Sequence, residues 1–175
     1  LQRSGLLNAT MSLIAQGETK AGSSAAGSPT EAVIERFSQF MGEIKRNGTA
    51  LGQIVSAELT YSNNLDKVEV IRPDGRIEDS DPAMVSVTGT VNIRFADTVL
   101  LDQAVAGTAC ELSFGWETDE DKSLLFTVHE VYLPKPKQPI TGPGGIQAAF
   151  AFQAAEDPTL QKTLTAALVN DVTAY

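Results

Sequence analysis

The amino-acid sequence predicts a mainly β protein: a β-sandwich or barrel with one flanking α-helix and long loops. Three observations support this fold class. Apolar and polar residues alternate along several short segments, which places them on opposite faces of a strand. Glycine- and proline-rich stretches separate these segments, as turns do. A hydrophobic fraction of 42% in 175 residues is enough for the core of one domain, so we expect residues 1–175 to form a single β domain.

The alternation predicts a strand most strongly at residues 85–95, which read VSVTGTVNIRF. The odd-numbered residues of this segment are apolar, apart from Gly89, and the even-numbered residues are polar. Such a strand has one buried and one exposed face. Gly89 lies on the buried face, where a glycine inside a strand indicates a bend or a bulge.

The same alternation predicts further strands before and after this one. Residues 112–116 lead into the acidic stretch ETDEDK and residues 124–128 lead out of it, which predicts a β-hairpin with a charged tip. Short strands separated by turns favour a sandwich or barrel. The other predicted strands are residues 7–13, 55–61, 146–152 and 164–169.

One segment, residues 96–107, has helical rather than strand periodicity. Asp97 is placed to cap the start of a helix, and Gly107 stands where a glycine commonly follows the last helical residue. We expect a single helix that packs over one end or face of the sheet and covers a sheet edge. The apolar residues at helical spacing are Leu100, Leu101, Ala104 and Val105.

Three segments are predicted to be loops. Residues 17–32 are rich in Gly, Ser and Ala and lack periodicity, which is typical of a flexible arm or long loop. Residues 72–82 contain a Pro-Asp-Gly turn signal and several acids. Residues 134–145 are rich in Pro and Gly, so they cannot complete a hydrogen-bonded ladder and stay extended.

Composition excludes several classes of function. The formal net charge is −9, which argues against a protein that binds nucleic acid along its phosphates. One cysteine and one histidine leave no intrachain disulfide and no Cys/His zinc cluster. The sequence has no apolar run of membrane-spanning length and no signal-peptide pattern. Because the chain begins at Leu1 rather than Met, we expect a processed chain, an engineered expression product or part of a longer protein.

The residues that are capable of catalysis do not form a recognisable set. His129 lies within a predicted strand on the side of Thr127 and Val131, whereas its neighbour Glu130 points to the other face, so a structural or interface role is favoured over a general base. Cys110 stands beside Glu111, and a thiol next to an acid is not activated; we expect a small, partly buried hydrophobic residue.

The acidic runs and the glycine-rich segment also lack the spacing of known sites. The acids of 74–81 and of 117–121 have oxygen ligands for calcium, but neither run has the alternate-residue spacing and closing Glu of an EF-hand. The glycines of 142–145 are not followed by the Gly-Lys-Ser/Thr of a phosphate-binding loop. We therefore predict no catalytic, cofactor-binding or metal site and no enzyme activity.

Four segments of the chain carry a family resemblance. They read GEIKRNGTALGQIVSAELTYSNNLDKVEVIRPDGRIEDSDP, VSVTGTVNIRFADTVLLDQAVAG, LLFTVHEVYLPKPKQPITGPGGIQAAFAFQAA and TLTAALVNDVTAY. As a set they resemble the tail tube (major tail) proteins of long-tailed bacteriophages, from about residue 37 onward. The first 36 residues match only in general character.

The resemblance implies a β-sandwich with a flanking helix whose inward strands join those of neighbouring subunits into a continuous barrel. Such proteins form hexameric rings that stack into a tube for DNA delivery; some relatives have two such domains per chain and form trimers. It further implies tape measure and tail terminator or tip proteins as partners, an acidic lumen through which DNA slides without specific binding, and a virion protein assembled in the host bacterial cytoplasm. Terminal arms and long loops of the family bridge successive rings, which makes residues 17–32 a candidate contact. Cofactors and membranes are not implied.

Two other interpretations remain open from the sequence. One is a β-sandwich module that binds carbohydrate or another ligand, which requires an exposed aromatic platform; Phe114, Trp116 and Phe126 lie on strand faces predicted to be buried. The other is the related tube protein of a contractile injection or secretion system, which a neighbouring sheath gene would indicate.

Overall fold

The computed structural model describes residues 1–2, 4–25, 27–28, 36–94, 97–119, 122–137 and 146–171. These residues form ten strands, one short 3₁₀ turn at Gln39–Met41 and one α-helix, α1, at Val99–Ala106. The strands are β1 (Gly42–Arg46), β2 (Thr49–Ala50), β3 (Ile54–Ser62), β4 (Asp66–Val68), β5 (Asp79–Asp81), β6 (Ser86–Arg94), β7 (Cys110–Asp119), β8 (Lys122–Tyr132), β9 (Gln147–Ala155) and β10 (Leu164–Val169).

Eight of these strands form one antiparallel sheet with the order β2-β1-β7-β8-β9-β6-β3, and β10 is attached to β8. Strand β8 pairs with β7 along one edge. Its other edge is divided, because β10 pairs with Ser123 to Val128 and β9 pairs with Glu130 to Tyr132. The sheet therefore branches at β8. It also curls, since Phe114 of β7 and Phe152 of β9, which are not neighbours in the sheet, stack with ring centroids 6.2 Å apart. The mainly β prediction is confirmed.

A β-bulge lies at the point where β8 branches. Leu112 of β7 pairs with Val128, but Cys110, two residues earlier, pairs with Val131, three residues later. The extra residue in β8 lets Val128 and Val131 both face the core, where each is completely buried. The sequence interpretation that placed His129 on the same face as Val131 is therefore wrong, because it assumed an unbroken alternation through the strand.

The core lies between the inner faces of the curled sheet. Its completely or almost completely buried side chains include Phe150 of β9, Val87 and Val91 of β6, and Leu112 and Phe114 of β7. All five come from segments with predicted strand alternation, so burial of one face explains why the sequence pattern was informative.

Gly89 lies in the middle of β6 and the pairing has no bulge at this residue, so the bulge offered as one explanation of the glycine is wrong. Its register is continuous on both sides, with Leu59 of β3 and Phe152 of β9 as partners. The Phe152 ring lies over the glycine, and a Cβ at this position would stand 2.5 Å from its Cζ and closer still to the main-chain oxygen of Glu58. The glycine is therefore required by close packing.

Helix α1 forms within the predicted segment, although Ala96 lies outside the described residues. The N-cap residue is Thr98 rather than Asp97, but the Asp97 carboxylate accepts a hydrogen bond from the Val99 N–H at 3.1 Å and so does part of the capping. Gly107 ends the helix with φ 64°, as predicted. Of the predicted apolar face, Leu100 is buried in the core, whereas 63% of Val105 is exposed.

The other strand predictions have mixed outcomes. Residues 55–61, 112–128, 146–152 and 164–169 are confirmed as strand segments, except for Ile146, which precedes β9, and for residues 120–121 at the hairpin tip, which lie outside the described residues. Residues 7–13 form no strand, and this prediction is wrong.

The predicted loops are only partly described. Residues 72–82 were predicted as a loop but contain β5, which pairs with β4. Residues 26 and 29–32 of the predicted arm and 138–145 of the Pro/Gly-rich segment lie outside the described residues.

We predict that Gly89→Ala lowers the free energy of unfolding by about 1–3 kcal/mol, because the added methyl group cannot displace a main-chain oxygen. Gly52→Ala is the matched control, since a Cβ at Gly52 meets nothing within 4 Å. Urea denaturation of the three proteins measures the difference. Equal midpoints for Gly89→Ala and Gly52→Ala would contradict the packing argument.

Candidate functional surfaces

His129 fixes β10 to β8 at the bulge. Its Nε2 lies 2.7 Å from the Thr165 hydroxyl, and its main-chain N–H donates to the Thr163 carbonyl at 3.1 Å. The Nδ1 atom is buried without a hydrogen-bond partner among the described residues and lies 3.8 Å from the Glu111 carboxylate. A hydroxyl, an imidazole and a carboxylate thus lie next to one another in space, but the carboxylate is beyond hydrogen-bond distance of the imidazole.

Cys110 begins β7 and is buried, with 4% of its surface exposed. Burial raises the pKa of its thiol, against the opposing effect of the Arg46 guanidinium nearby. A thiol with a raised pKa is a poor nucleophile. The expectation of a small hydrophobic residue agrees with this position, except that the side chain is fully rather than partly buried.

Two of the acids of 74–81, Asp74 and Glu78, bind an arginine rather than form an open ion site. Arg72 donates through Nε and Nη2 to the two Asp74 carboxylate oxygens, each at 2.9 Å, and through Nη1 to Glu78. The Arg72 guanidinium, together with the Arg76 N–H, holds the pKa of Asp74 at about 2. Within the described ranges, we find no group of three or more His, Cys, Asp and Glu side chains that could hold a metal ion.

A cavity of about 600 Å³ lies where the two ends of the curled sheet approach each other. Its lining includes Gln39, Glu43, Gln53, Arg94 and Gln147. Apolar side chains, among them Leu51 and Ile54, form the rest of the lining, and the amide and ionic groups are not arranged around a nucleophile.

Residues 4–17 form an arm that is attached at both ends. Near its start, Gly5 and Leu7 exchange main-chain hydrogen bonds with the segment before β1 at 2.9 and 3.0 Å. At its far end, the Gln16 amide donates to the Glu78 carbonyl at 3.2 Å. Between these contacts, Met11 and Leu13 are 82% and 81% exposed. The arm therefore presents large apolar side chains to solvent.

A second apolar surface lies on the β4–β5 hairpin and the segments that connect it to β3 and β6. Ile71 is fully exposed and Met84 is 85% exposed. Partly exposed neighbours in the chain are Leu65, Val70 and Val85. Because a soluble monomer rarely exposes so many large apolar residues in one segment, this hairpin is a candidate contact surface.

The outer face of β3, β6 and β9 has a different character. Cross-strand pairs align Thr60 with Thr88 and Gln153, and align Thr90 with Ala151. Charges on this face come from Glu58 and Arg94, and its remaining side chains are hydroxyl, amide or methyl groups. The outward residues are Ser56, Glu58, Thr60, Ser62, Ser86, Thr88, Thr90, Asn92, Arg94, Gln147, Ala149, Ala151 and Gln153.

No helix in the described part of the chain is both long and apolar enough to cross a membrane.

A family model described as phage tail tube protein matches residues 1–154 of the chain. The chain belongs to the phage tail tube protein family. It is a structural tube protein and a component of the phage tail, as the sequence resemblance implied. No curated protein sequence matches the chain.

Three solved structures share the fold of this tail tube protein at low sequence identity. The tube-terminating cap of the anti-feeding prophage has a TM-score of 0.59 at 10% identity, over 83% of this chain and 100% of that one. In an extracellular contractile injection system, the PVC sheath/tube terminator in the extended state has a TM-score of 0.57 at 11% identity, over 78% and 99%. The sheath-tube complex of the PVC system in the extended state has a TM-score of 0.54 at 11% identity, over 86% of this chain and 100% of that one. At these identities the likeness shows the fold.

The three aromatic residues weighed for the ligand-binding alternative do not form an exposed platform. Phe114 and Trp116 are buried, as predicted, and Phe126 is half-buried against Trp116 with the rings edge to face. Sequence reasoning missed the exposed hairpin surface and the Arg72 cluster. The exposed hairpin surface could have been predicted from the apolar pair Val70–Ile71 next to a turn. The Arg72 cluster could have been predicted from an arginine between acids.

We predict that Arg72→Gln raises the pKa of Asp74 from about 2 toward its ordinary value of 3.8. The rise stays incomplete because the Arg76 N–H still donates to the carboxylate. In the native protein, a depressed pKa means that the ion pair stabilises the hairpin above about pH 3.8 and that this contribution disappears as the pH falls toward 2.

Carbon-detected NMR titration of the carboxyl groups measures this shift. Arg94→Gln, which removes a cation from β6, is the control and leaves the Asp74 titration unchanged. An Asp74 pKa that stays at about 2 in Arg72→Gln would show that the arginine is not its cause.

Proposed function

We propose that this tail tube protein assembles with copies of itself into rings that stack into the tube through which DNA is delivered. The observation that carries the proposal is that the curled sheet does not close on itself. Strand β3 ends the sheet on one side, and β10 has a partner on one edge only among the described residues. An open edge presents unpaired main-chain groups, and joining such edges across subunits removes them. Rings form when a head-to-tail contact closes by rotation.

The outer face of β3, β6 and β9 is the surface that we assign to the lumen. Hydroxyl, amide and methyl groups give a duplex few cations to bind, so DNA phosphates pass without specific attachment. This assignment changes the expectation of an acidic lumen to a nearly neutral one. The net charge of −9 still prevents general adhesion of DNA to the protein.

The exposed apolar hairpin at β4–β5 and residues 17–32 are proposed to contact neighbouring rings. Each ring is a hexamer, or a trimer if the chain is part of a two-domain protein. The terminator and cap components among the structural neighbours support a terminator partner for this tube. A tape measure protein inside the tube and assembly in the host cytoplasm belong to the same proposal, as does a purely structural role without cofactor or catalysis.

A tube of a contractile injection system is the second candidate function. The two structural neighbours that come from such a system favour it. The two candidates differ in whether a sheath surrounds the tube, so a sheath-protein gene next to this one distinguishes them.

We predict that the purified protein forms rings or tubes as its concentration is raised, seen by negative-stain microscopy and sedimentation velocity. Ile71→Asp abolishes this assembly without changing the unfolding midpoint, because the side chain is fully exposed in the isolated subunit and a charge there must be desolvated at a contact.

Two controls separate a specific contact from a general loss of solubility or affinity. Ile71→Val retains assembly, and Val105→Asp, on the exposed side of α1, also retains it. A wild-type protein that stays a compact monomer at every concentration and salt condition would refute the proposed function. Assembly by Ile71→Asp at wild-type concentrations would refute the role of the hairpin alone.

A further inference from the structure

We propose that residues 7–13 of one copy add as a strand to the free edge of β10 in a neighbouring copy. This inference rests on the proposed self-assembly and names one pair of surfaces that makes it. Strand addition of this kind uses main-chain hydrogen bonds for affinity and alternate side chains for specificity.

The donor segment has the sequence of a strand without the partner of a strand. Leu7, Ala9, Met11 and Leu13 alternate with Asn8, Thr10 and Ser12. In the subunit this segment has no strand pairing, and residues 8–13 are exposed. A pattern with one apolar face is stable as a strand only when that face is covered.

The acceptor edge is β10. This strand pairs with β8 on one side, and its residues 166–169 are exposed. Leu168 and Val169, which point to opposite faces of the strand, are 53% and 52% exposed. A six-residue edge of this kind, apolar and uncharged, is a template for another strand.

The other two ends of the sheet are less suitable. Strand β2 has two residues. Strand β3 is already occupied at its centre, where the Ala57 N–H donates to the Leu1 carbonyl at 2.8 Å, and it carries the exposed Glu58. Strand β9 also lacks a partner before Gln153 on the side that faces β8, but Ala148, Phe150 and Phe152 bury one face of it in the core. Of the edges in the described part of the chain, β10 is the uncharged one that is exposed on both faces.

The two segments match in length, charge and stoichiometry. The donor has seven residues and β10 has six, and neither contains a charged side chain. Pairing therefore buries no unpaired charge. Each chain has one donor and one acceptor, which is the composition of a head-to-tail contact that closes into a ring.

Pairing within one chain is disfavoured by the positions of the anchors. The start of the donor is held beside β1 through Leu7 and Phe37, and Gln16 holds its far side at the β4–β5 hairpin. Two strands, β7 and β8, separate β1 from β10 in the sheet. The arm would have to leave both anchors to reach its own β10, whereas a neighbour can bring its edge to the exposed segment.

Cross-linking tests the contact directly. We expect the apolar donor residues to lie on the same face of the extended sheet as Leu164 and Leu168. Thr10 then lies on the opposite face, together with Ala167. We mix differently tagged chains that carry Thr10→Cys or Ala167→Cys under assembly conditions with mild oxidant. The expected result is a disulfide between the two tags, because paired strands place such residues within bonding range. The native Cys110 does not compete, since it is buried.

The control pair is Thr10→Cys with Thr60→Cys, an exposed position on the rival edge strand β3. Cross-linking of the control in place of the Ala167→Cys pair would overturn the assignment to β10. Disulfides between two copies of the same variant carry only one kind of tag and are therefore distinguished from the expected product.

A second measurement uses assembly itself. Met11→Asp raises the concentration for half-maximal assembly at least tenfold, while its unfolding midpoint equals that of the wild type. Val105→Asp, on the exposed side of α1 and outside the proposed contacts, is the matched control and changes assembly less than twofold. If the wild type forms tubes, and neither the cross-link nor the Met11→Asp effect is found, this inference fails and the proposed function stands. If the wild type never assembles, both fail.

Discussion

The bulge in β8 is the constraint on which the rest of the structure depends. One extra residue at His129–Glu130 allows the strand to bury Val128 before the bulge and Val131 after it. Without it, every residue beyond the bulge would turn to the opposite face, because strand side chains alternate with a period of two. The bulge also marks where β8 exchanges β10 for β9 as its partner, and His129 holds this junction by its hydrogen bond to Thr165.

Branching at β8 leaves main-chain hydrogen-bonding groups unpaired at strand edges. A closed barrel has no edge, and an open sheet of the same strands has two. Here the branch adds two more, because in the described structure β10 has no partner on its outer side and β9 has none on the side facing β8 from Gln147 to Phe152. For an isolated protein this arrangement favours aggregation. For a subunit of a tube it provides main-chain contacts, and the exposed Met11, Leu168 and Ile71 provide the apolar area that makes such contacts favourable.

The sequence predicted those parts of the fold in which burial is decided within one segment. The alternation of β6, β7 and β9 corresponds directly to a buried face, and Gly107 predicts the left-handed end of α1. The errors arise where another part of the chain decides. Residues 7–13 have strand alternation but no partner in the subunit. The strand at Asp79–Asp81 has only polar residues and forms because Asp66–Val68 lies opposite. Neither the bulge nor the aromatic ring over Gly89 leaves a local signal. The contact surfaces could be predicted only from the family resemblance, because the exposure of a side chain depends on the complete fold.

The distribution of charge explains how an acidic protein can present a nearly neutral face. On β3, β6 and β9 the outward Glu58 is balanced by Arg94, so the excess of acids lies elsewhere, with several in the segment that includes the β4–β5 hairpin. Arg72 compensates Asp74 and Glu78 there, but Asp66, Asp79 and Asp81 have no such arginine in their hydrogen bonds. Two copies that approach through their hairpins thus repel each other before they touch. At contact they attract each other through Ile71 and Met84. At about 0.15 M salt the Debye length is about 8 Å, so the repulsion is short-ranged enough for apolar contact to prevail. Placing the charge on the hairpin therefore limits premature association without adding a charge to the face assigned to the lumen.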